Sequence, residues 1–229
     1  MNLHKRIPLY SVGLLLTSLG IVLITKADIG IAPVSTLPYA LSLVIPQITL
    51  GTFMTFMHLT CMLAQLAILR RMTPALVMQI PVAYVFGLLV DMYNAWITVA
   101  PPNYFSRLLL LLGGILCLAF GISFSAGANF TMAPPDALCF TISVLTGRTL
   151  GWIKRIFDTG LAIVAGAVAG ILLGSPFRVV GVGTIACMLL TGTGVGLVQK
   201  LMPFLDMSRK PAEPVQAEEA AVGVFPPEK

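Results

Sequence analysis

Long apolar runs separated by short polar stretches set the pattern of this chain up to about residue 200. Six runs reach or approach the roughly 18 residues that cross a bilayer as a helix. They lie at about 8–25, 50–69, 79–99, 108–128, 156–174 and 179–199. The pattern predicts an all-α polytopic membrane protein with about six transmembrane helices and almost no chain left for a soluble domain.

One phrase of the chain occurs twice, at residues 20–42 and 121–143. Each copy runs from an apolar stretch through a polar break to an Ala-Pro pair and a second, shorter apolar stretch. At an offset of 101 positions seven residues agree: Gly20, Ile21, Ala27, Ala32, Pro33, Leu37 and Ser42 match Gly121, Ile122, Ala128, Ala133, Pro134, Leu138 and Ser143. The chain is therefore predicted to be a duplication, with membrane repeats at 1–100 and 101–202. A disordered, cytoplasmic tail rich in Pro, Ala and Glu is expected at 203–229.

The second apolar stretch of each copy is too short to cross a bilayer. Residues 33–45 and 134–145 would each rise only about 20 Å as helices, against a hydrocarbon core of about 30 Å. We expect short re-entrant or broken half-helices that begin at Pro33 and Pro134, because a proline in the first turn loses no helical hydrogen bond. Pro38 is expected to kink or shift the first half-helix. Two full crossings, which would give eight spans, are the alternative.

The distribution of positive charge favours six spans over eight. With a cytoplasmic N-terminus, six spans place 11 basic residues inside and 3 outside, whereas eight spans move Arg70 and Arg71 outside. Three spans per repeat is an odd number, so the second copy is expected to enter the membrane upside down. The two repeats are then inverted, and their half-helices point toward one another near the midplane. Both termini are predicted to be cytoplasmic.

Composition agrees with this class of protein and excludes others. The chain is 57% hydrophobic and only 10% charged, against about 25% charged in a soluble domain. The excess of 14 Lys+Arg over 9 Asp+Glu is typical of cytoplasmic loops, so no nucleic acid partner is expected. The four cysteines lie in apolar segments without metal-ligand spacing. No catalytic triad, nucleotide-binding or metal-binding motif occurs, so we expect no enzyme activity, no cofactor and no metal.

The polar residues of the two breaks are the first candidate ligand-binding residues. Ser35 and Asp136 follow Pro33 and Pro134 at equivalent positions, where helix N-termini suit an anion or a carbonyl group. Asp136 itself favours a cation or a protonatable role. The alternative is that both residues only cap their own helices. Asp28 and Asn129 are likewise equivalent, and they either rim the two mouths of a pathway or, for Asp28, form a local ion pair with Lys26.

Ionisable residues inside predicted spans are costly and form the second group of candidates. His58 and Asp158 fall at equivalent positions once one residue is dropped from the second copy. They could form a proton-linked pair, or His58 could pack as a hydrogen-bonded histidine while Asp158 pairs with Lys154. Asp91 is expected to pair with Arg107.

Small residues at every fourth position mark one face of the fifth span. Gly166, Gly170 and Gly174 predict a close-packing seam within the chain, with a homodimer through the same face as a possible partner interaction.

Three segments resemble a group of bacterial inner-membrane proteins. They are G-I-x-L-x-x-x-A-x-I-G-x-A-P at residues 20–33, Q-I-P-V-A-Y-V-F-G-L-L-V-D at 79–91 and R-I-F-D-T at 155–159. The chain resembles the YczE/YyaS/YitT group over residues 8–200. The resemblance implies a bacterial plasma-membrane location and leaves the activity open.

Two functions from different classes fit these patterns. The first is a small-solute transporter or channel, whose solute would bind near the midplane between the two half-helix N-termini. The second is a non-transporting accessory or sensory protein, in which the breaks only pack and the tail or basic loops contact a protein partner. In both cases the lipid bilayer is the first partner.

Overall fold

The computed structural model describes residues 3–128 and 130–202, and this part of the chain is all-helical with no strand. Eight α-helices follow one another, and two short 3-10 turns, Pro33–Ser35 and Pro176–Arg178, precede α2 and α8. The helices are α1 (Leu3–Ala27), α2 (Thr36–Val44), α3 (Leu50–Leu69), α4 (Pro74–Trp96), α5 (Tyr104–Ala128), α6 (Pro134–Thr146), α7 (Leu150–Leu172) and α8 (Val182–Leu201). The predicted fold class is confirmed, while the predictions for Asn129 and the tail fall outside the described residues.

Six of these helices are long and apolar enough to cross a membrane, as predicted. Large apolar side chains such as Phe105 and Ile171 are exposed on their outer surfaces, which suits contact with lipid. The chain is therefore an integral, multi-pass membrane protein. The predicted starts of the third and fifth spans are wrong, because helices α4 and α7 begin earlier, directly after Thr73 and Thr149. Apolar counting missed the start of α7 because Lys154 and Arg155 lie there, and it missed the start of α4 because the predicted run begins after Pro74 and Ala75.

The two short segments are confirmed as short helices that begin at proline. Pro134 begins α6, whereas Pro33 begins a 3-10 turn that continues into α2. The irregularity of the first segment thus lies before Pro38, which falls in the first turn of α2 where its missing N–H costs nothing. At 9 and 13 residues, α2 and α6 are too short to cross a bilayer alone.

Helices α1 and α5 form the most extensive helix contact and cross backbone to backbone through four glycines. A Cβ at Gly20 would lie 2.7 Å from the carbonyl oxygen of Gly114, and one at Gly114 would lie 2.9 Å from that of Gly20. Gly13 and Gly121 meet in the same way, at 2.8 Å in both directions. The contact order runs forward along α1 and backward along α5, so the two helices are antiparallel. Only glycine permits so close an approach.

The contacts of the crossing follow the sequence duplication. At the offset of 101 positions Gly13 corresponds to Gly114, and Gly20 corresponds to Gly121. The two glycine pairs therefore exchange with one another when the repeats are exchanged.

The short helices occupy alternate positions in a ring with α3 and α7. Helix α2 packs on both α3 and α7, and so does α6, whereas neither α2 with α6 nor α3 with α7 forms an extensive contact. The two short helices thus lie on opposite sides of the ring. Ser35, His58, Asp136 and Asp158 all belong to elements of this ring, so the candidate residues converge on one part of the fold.

The glycine-rich face of α7 is covered by the same chain. A Cβ at Gly166 would lie 3.6 Å from Val180, and one at Gly170 would lie 3.8 Å from Pro176. These are ordinary contact distances at which alanine would fit, so the face is packed within the chain but the close approach that the glycines predict is not formed. Gly174 does not extend this face, because α7 ends at Leu172 and Gly174 adopts a left-handed turn with φ 75°. The predicted homodimer through Gly166, Gly170 and Gly174 gains no support, since the connecting segment already occupies the face.

Candidate functional site

A charged cluster joins α6 to α7 inside the helix ring. The Nζ of Lys154 donates to Oδ1 of Asp136 at 2.6 Å, and both side chains are about two-thirds buried. Asp158 lies one helical turn beyond Lys154 and interacts electrostatically with both of them. Lys154 forms its salt bridge with Asp136 and none with Asp158, although it interacts electrostatically with Asp158 as well. Two carboxyl groups thus lie near one ammonium group.

The cluster leaves polar atoms without partners. Oδ1 of Asp158 and Nδ1 of His58 are both buried, and neither atom has a hydrogen-bond partner within the described part of the chain. The structure does not bring these two side chains into hydrogen-bonding contact. His58 instead stacks on Phe86, with ring centroids 4.9 Å apart. The predicted proton-linked pair of His58 with Asp158 stays a prediction.

The N-termini of the two short helices offer few backbone donors. Pro134 and Pro135 have no N–H, and the N–H of Ala137 donates to Ala133. In the first segment Pro33 has no N–H, and the N–H of Ser35 donates to Ala32. An anion site at a helix N-terminus needs several free N–H groups. The arrangement therefore favours a cation or a proton at these tips over an anion.

Ser35 is fully buried at the first tip, but its hydroxyl is already used. The Oγ of Ser35 donates to the carbonyl oxygen of Ala32 at 2.9 Å, and it accepts no N–H from α2. Ser35 therefore neither caps the helix nor offers a free donor in this conformation. Its equivalent, Asp136, accepts a hydrogen bond from Lys154 of α7 instead.

Asp28 in the first break forms an ion pair with Arg107 at the start of α5. The Nη1 of Arg107 lies 2.9 Å from Oδ2 of Asp28 and 3.0 Å from its carbonyl oxygen. The predicted pairing of Asp28 with Lys26 is therefore replaced by a contact between the two repeats. The predicted pairing of Arg107 with Asp91 is wrong. The carboxylate of Asp91 instead accepts hydrogen bonds at the start of α3, from the Oγ1 of Thr49 at 2.6 Å and the N–H of Gly51 at 2.7 Å.

The first break is sealed by the start of α8. The N–H of Gly183 donates to the carbonyl oxygen of Ile29 at 2.7 Å, and the N–H of Ile31 donates to Oγ1 of Thr184 at 3.1 Å. A Cβ at Gly181 would lie 2.6 Å from the same carbonyl oxygen. These contacts, together with the Asp28–Arg107 pair, bind the first break to α8 and to α5.

The second break borders a small polar cavity between α3, α4 and α6. The cavity measures about 50 Å³, and its lining includes Gln65, Gln79, Thr131 and Thr141. Gln65 donates to Oγ1 of Thr141 at 2.9 Å, and Gln79 donates to Oε1 of Gln65 at 3.2 Å. Sequence reasoning missed this network, although two glutamines within apolar spans were a signal that their amides needed partners.

A second, larger cavity of about 430 Å³ opens beside Asp91. Its lining includes Thr25, Tyr39, Ser42, Asp91 and Asn94. Neither of these two cavities has both Pro33 and Pro134 in its lining. In this conformation they do not form a continuous passage between the two tips. Within the described residues no group of three or more histidine, cysteine or acidic side chains is placed to hold a metal ion.

Comparison with known proteins places the chain in a family. The family model described as a family of unknown function, DUF6198, matches residues 4–200. The chain belongs to this DUF6198 family. That match covers all eight helices except the first residue of α1 and the last of α8, so the ring and both breaks lie within the matched residues. The family has no assigned activity.

A curated relative supports part of the predicted resemblance. The chain is 26% identical to the uncharacterised protein YyaS of Bacillus subtilis (strain 168) over 199 residues, which cover 86% of this chain and 92% of that protein. The resemblance is thus supported for YyaS, while the wider YczE and YitT grouping stays a prediction. No solved structure matches the chain.

Proposed function

We propose that this DUF6198 member is a small-solute carrier of the bacterial plasma membrane, with two inverted repeats, both termini in the cytoplasm and no enzymatic activity. The observation that carries the proposal is the cluster of Asp136, Lys154 and Asp158 within the helix ring. Charged groups inside a membrane protein are expensive and are kept where ions, protons or solutes pass. The unpartnered Oδ1 of Asp158 leaves one acceptor of the cluster available to a ligand.

The glycine crossing supports the inverted arrangement of the repeats. Equivalent helices of repeats related by an axis in the membrane plane must run antiparallel, and α1 and α5 do so through reciprocal glycine pairs. Helix α2 corresponds to α6 and α3 corresponds to α7 in the two repeats. Exchange of the repeats therefore turns the α2–α7 contact into the α6–α3 contact.

The Asp28–Arg107 pair supports six spans with re-entrant short helices. With six spans, the end of α1 and the start of α5 lie on the same side of the membrane. With eight spans, three crossings would separate Asp28 from Arg107, and the two side chains would lie on opposite sides. Their 2.9 Å contact fits the first arrangement only.

The two breaks differ in a way that fits alternating access. The first break is hydrogen-bonded to α8 and ion-paired with Arg107, whereas Thr131 and Met132 of the second break line a cavity. The larger cavity is lined by Thr25 and Tyr39, which flank the first break, but by none of residues 28–32. A carrier exposes its site to one side at a time, by movement of one bundle against the other. In this proposal the conformation is closed toward the outside, and the second break faces the cytoplasm.

The composition of the cluster of Asp136, Lys154 and Asp158 favours one class of solute. Two carboxyl groups beside one ammonium group, with few free N–H groups at the helix tips, suit a cationic solute or exchange of a proton with His58 or Asp158. An anion would meet two acidic side chains and one basic side chain in this cluster.

Two cysteine substitutions test the carrier without knowledge of its solute. Ile31→Cys reports on the sealed first break, since Ile31 is buried and its hydrogen bond uses only the backbone. Thr131→Cys reports on the cavity of the second break. Thr184→Val removes the hydroxyl that accepts from Ile31 and Gly181, so it should favour an open first break. The matched control is Thr25→Val, whose hydroxyl bonds only within α1.

The carrier proposal requires reciprocal changes in cysteine reactivity. Thr184→Val should raise labelling of Ile31→Cys from outside by membrane-impermeant reagents, and should lower labelling of Thr131→Cys from the cytoplasm. The single-cysteine variants are made after replacement of Cys61, Cys117, Cys139 and Cys187. A rise at the first site without a fall at the second would indicate local loosening of a static protein. That result would favour the accessory or sensory role over the carrier.

A further inference from the structure

The orientation of two buried amide groups beside the second break is fixed by a backbone carbonyl group. The carbonyl oxygen of Ala137 can only accept, so the side-chain group of Gln65 that faces it at 3.4 Å must be the NH₂ group. Oε1 of Gln65 therefore points to Gln79, which must present its own NH₂ group at 3.2 Å. Oε1 of Gln79 is the amide oxygen at the end of this series of hydrogen bonds.

This last oxygen is buried without a hydrogen-bond partner. Gln79 is only 2% exposed, and no atom of the described chain donates to its Oε1. A buried amide oxygen without a partner is destabilising, so such a group normally has a ligand or water. The cavity that Gln79 lines has about 50 Å³, which exceeds the roughly 10–15 Å³ that one water needs.

The other polar atoms of the lining add acceptors, and no described basic side chain is among them. The hydroxyl of Thr131 makes one long hydrogen bond, 3.5 Å to the carbonyl oxygen of Met132, so its lone pairs are free. Both NH₂ hydrogens of Gln65 are occupied, by Thr141 and Ala137. An anion finds no counter-charge in the lining, whereas a cation finds neutral oxygens.

We propose that this cavity binds a small monovalent cation, held by Oε1 of Gln79 and the hydroxyl of Thr131. Hard cations prefer oxygen ligands, and irregular backbone beside a half-helix is where such ions bind in membrane carriers. The inference goes beyond the carrier proposal, because an ion can bind here in a protein that moves no solute. Its test therefore measures binding only, and it can fail or succeed independently of transport.

The test compares four chloride salts at equal ionic strength. The purified full chain in detergent is unfolded thermally in sodium, potassium, ammonium or N-methylglucamine chloride. The last cation is too large for the cavity and sets the reference. A bound ion stabilises the folded state by mass action, so at saturation at least one small cation should raise the melting temperature by roughly 5 °C. Equal melting temperatures in all four salts would overturn the proposal and leave the cavity to water.

Substitutions at Thr131 locate the effect without disturbing the two amides. Thr131→Val keeps the shape of the side chain and should abolish most of the cation-dependent shift, whereas Thr131→Ser retains a hydroxyl and should preserve it. Ser123→Ala is the matched control, since Ser123 is fully buried and bonds only to its own helix. A shift that survives unchanged in Thr131→Val would place the ion elsewhere and contradict the assignment.

Substitution of Gln79 tests the second ligand. Gln79→Met conserves volume but removes the free oxygen and the donor to Gln65. It should lower the melting temperature in every salt and remove the difference between salts. Equilibrium dialysis with radioactive sodium gives a second readout for the folded wild type and Thr131→Val. A binding site should give saturable uptake, displaced by unlabelled sodium, in the wild type only.

Discussion

The guanidinium group of Arg107 binds Asp28 twice, through the carboxylate at 2.9 Å and through the backbone carbonyl oxygen at 3.0 Å. Asp28 adopts a left-handed conformation with φ 54°, which turns both oxygens toward α5. Asparagine tolerates the same conformation, so Asp28→Asn removes the charge without straining the turn. This contact connects the first break to the start of α5. Its side chains are more exposed than the hydrogen bonds between the first break and α8.

Asp28→Asn should loosen the first break while changing overall stability little. The side chain of Asp28 is mostly exposed, and exposed ion pairs contribute about 0–1 kcal/mol. Labelling of Ile31→Cys should accelerate in Asp28→Asn, and more strongly in Arg107→Gln, which loses both contacts. Lys26→Gln serves as the charge control. If Arg107→Gln labels no faster than Lys26→Gln, the pair does not contribute to closure.

Lys154→Met should destabilise the protein more than Asp136→Asn. Removal of the lysine leaves two partly buried carboxylates without a counter-charge, whereas removal of one carboxylate leaves Lys154 with Asp158. Breaking a buried pair from one side costs about 3–5 kcal/mol, less here because both groups are partly exposed. Thermal unfolding in detergent measures the order. In the double variant Asp136→Asn with Lys154→Met, stability should recover in part, and strict additivity of the two effects would contradict a coupled cluster.

Gly114→Ala should destabilise the helix crossing, and the adjacent Gly113→Ala should not. A Cβ at Gly114 would meet Ile24 and the backbone of Gly20 within 3.0 Å, while one at Gly113 meets nothing within 4 Å. Overpacking of such contacts costs about 1–3 kcal/mol. The melting temperatures of the two variants, measured side by side, check this prediction. Equal values would show that α1 and α5 cross less closely than described.

Asp91→Asn should weaken the first turn of α3. The carboxylate accepts hydrogen bonds from the N–H of Gly51 and from the hydroxyl of Thr49. A carboxylate at this position also interacts favourably with the partial positive charge at the N-terminus of α3. Loss of that charge should cost about 1 kcal/mol. Hydrogen exchange of the Gly51 amide should be faster in Asp91→Asn and faster still in Asp91→Ala. Unchanged exchange would mean that the carboxylate does not bind this amide.

The duplicated phrase made much of the architecture predictable. It placed both breaks, both first-turn prolines and the equivalence of Ser35 with Asp136, because these features depend on local sequence. The six long helices followed from the lengths of the apolar runs. Their starts were less accurate directly after Thr73 and Thr149.

Pairing across the fold could not be predicted, because it depends on geometry. Arg107 lies closer in sequence to Asp91, yet it binds Asp28, because the start of α3 supplies Asp91 with two donors. Lys154 lies one turn from Asp158 on the same helix, yet it binds Asp136 on another. The amide chain from Ala137 through Gln65 to Gln79 spans three helices. No spacing rule links residues 65, 79 and 137, so only the packing of α3, α4 and α6 brings them together.

The glycine crossing has a mechanical consequence for any movement of this protein. Where Gly20 meets Gly114 and Gly13 meets Gly121, main chain approaches main chain, and the short side chains of Thr17 and Ser125 lie beside the contact. Backbone atoms cannot change rotamer to make room for a larger group, so sliding of one helix along the other would bring side chains against backbone. We therefore expect α1 and α5 to keep their relative position while the surrounding elements move.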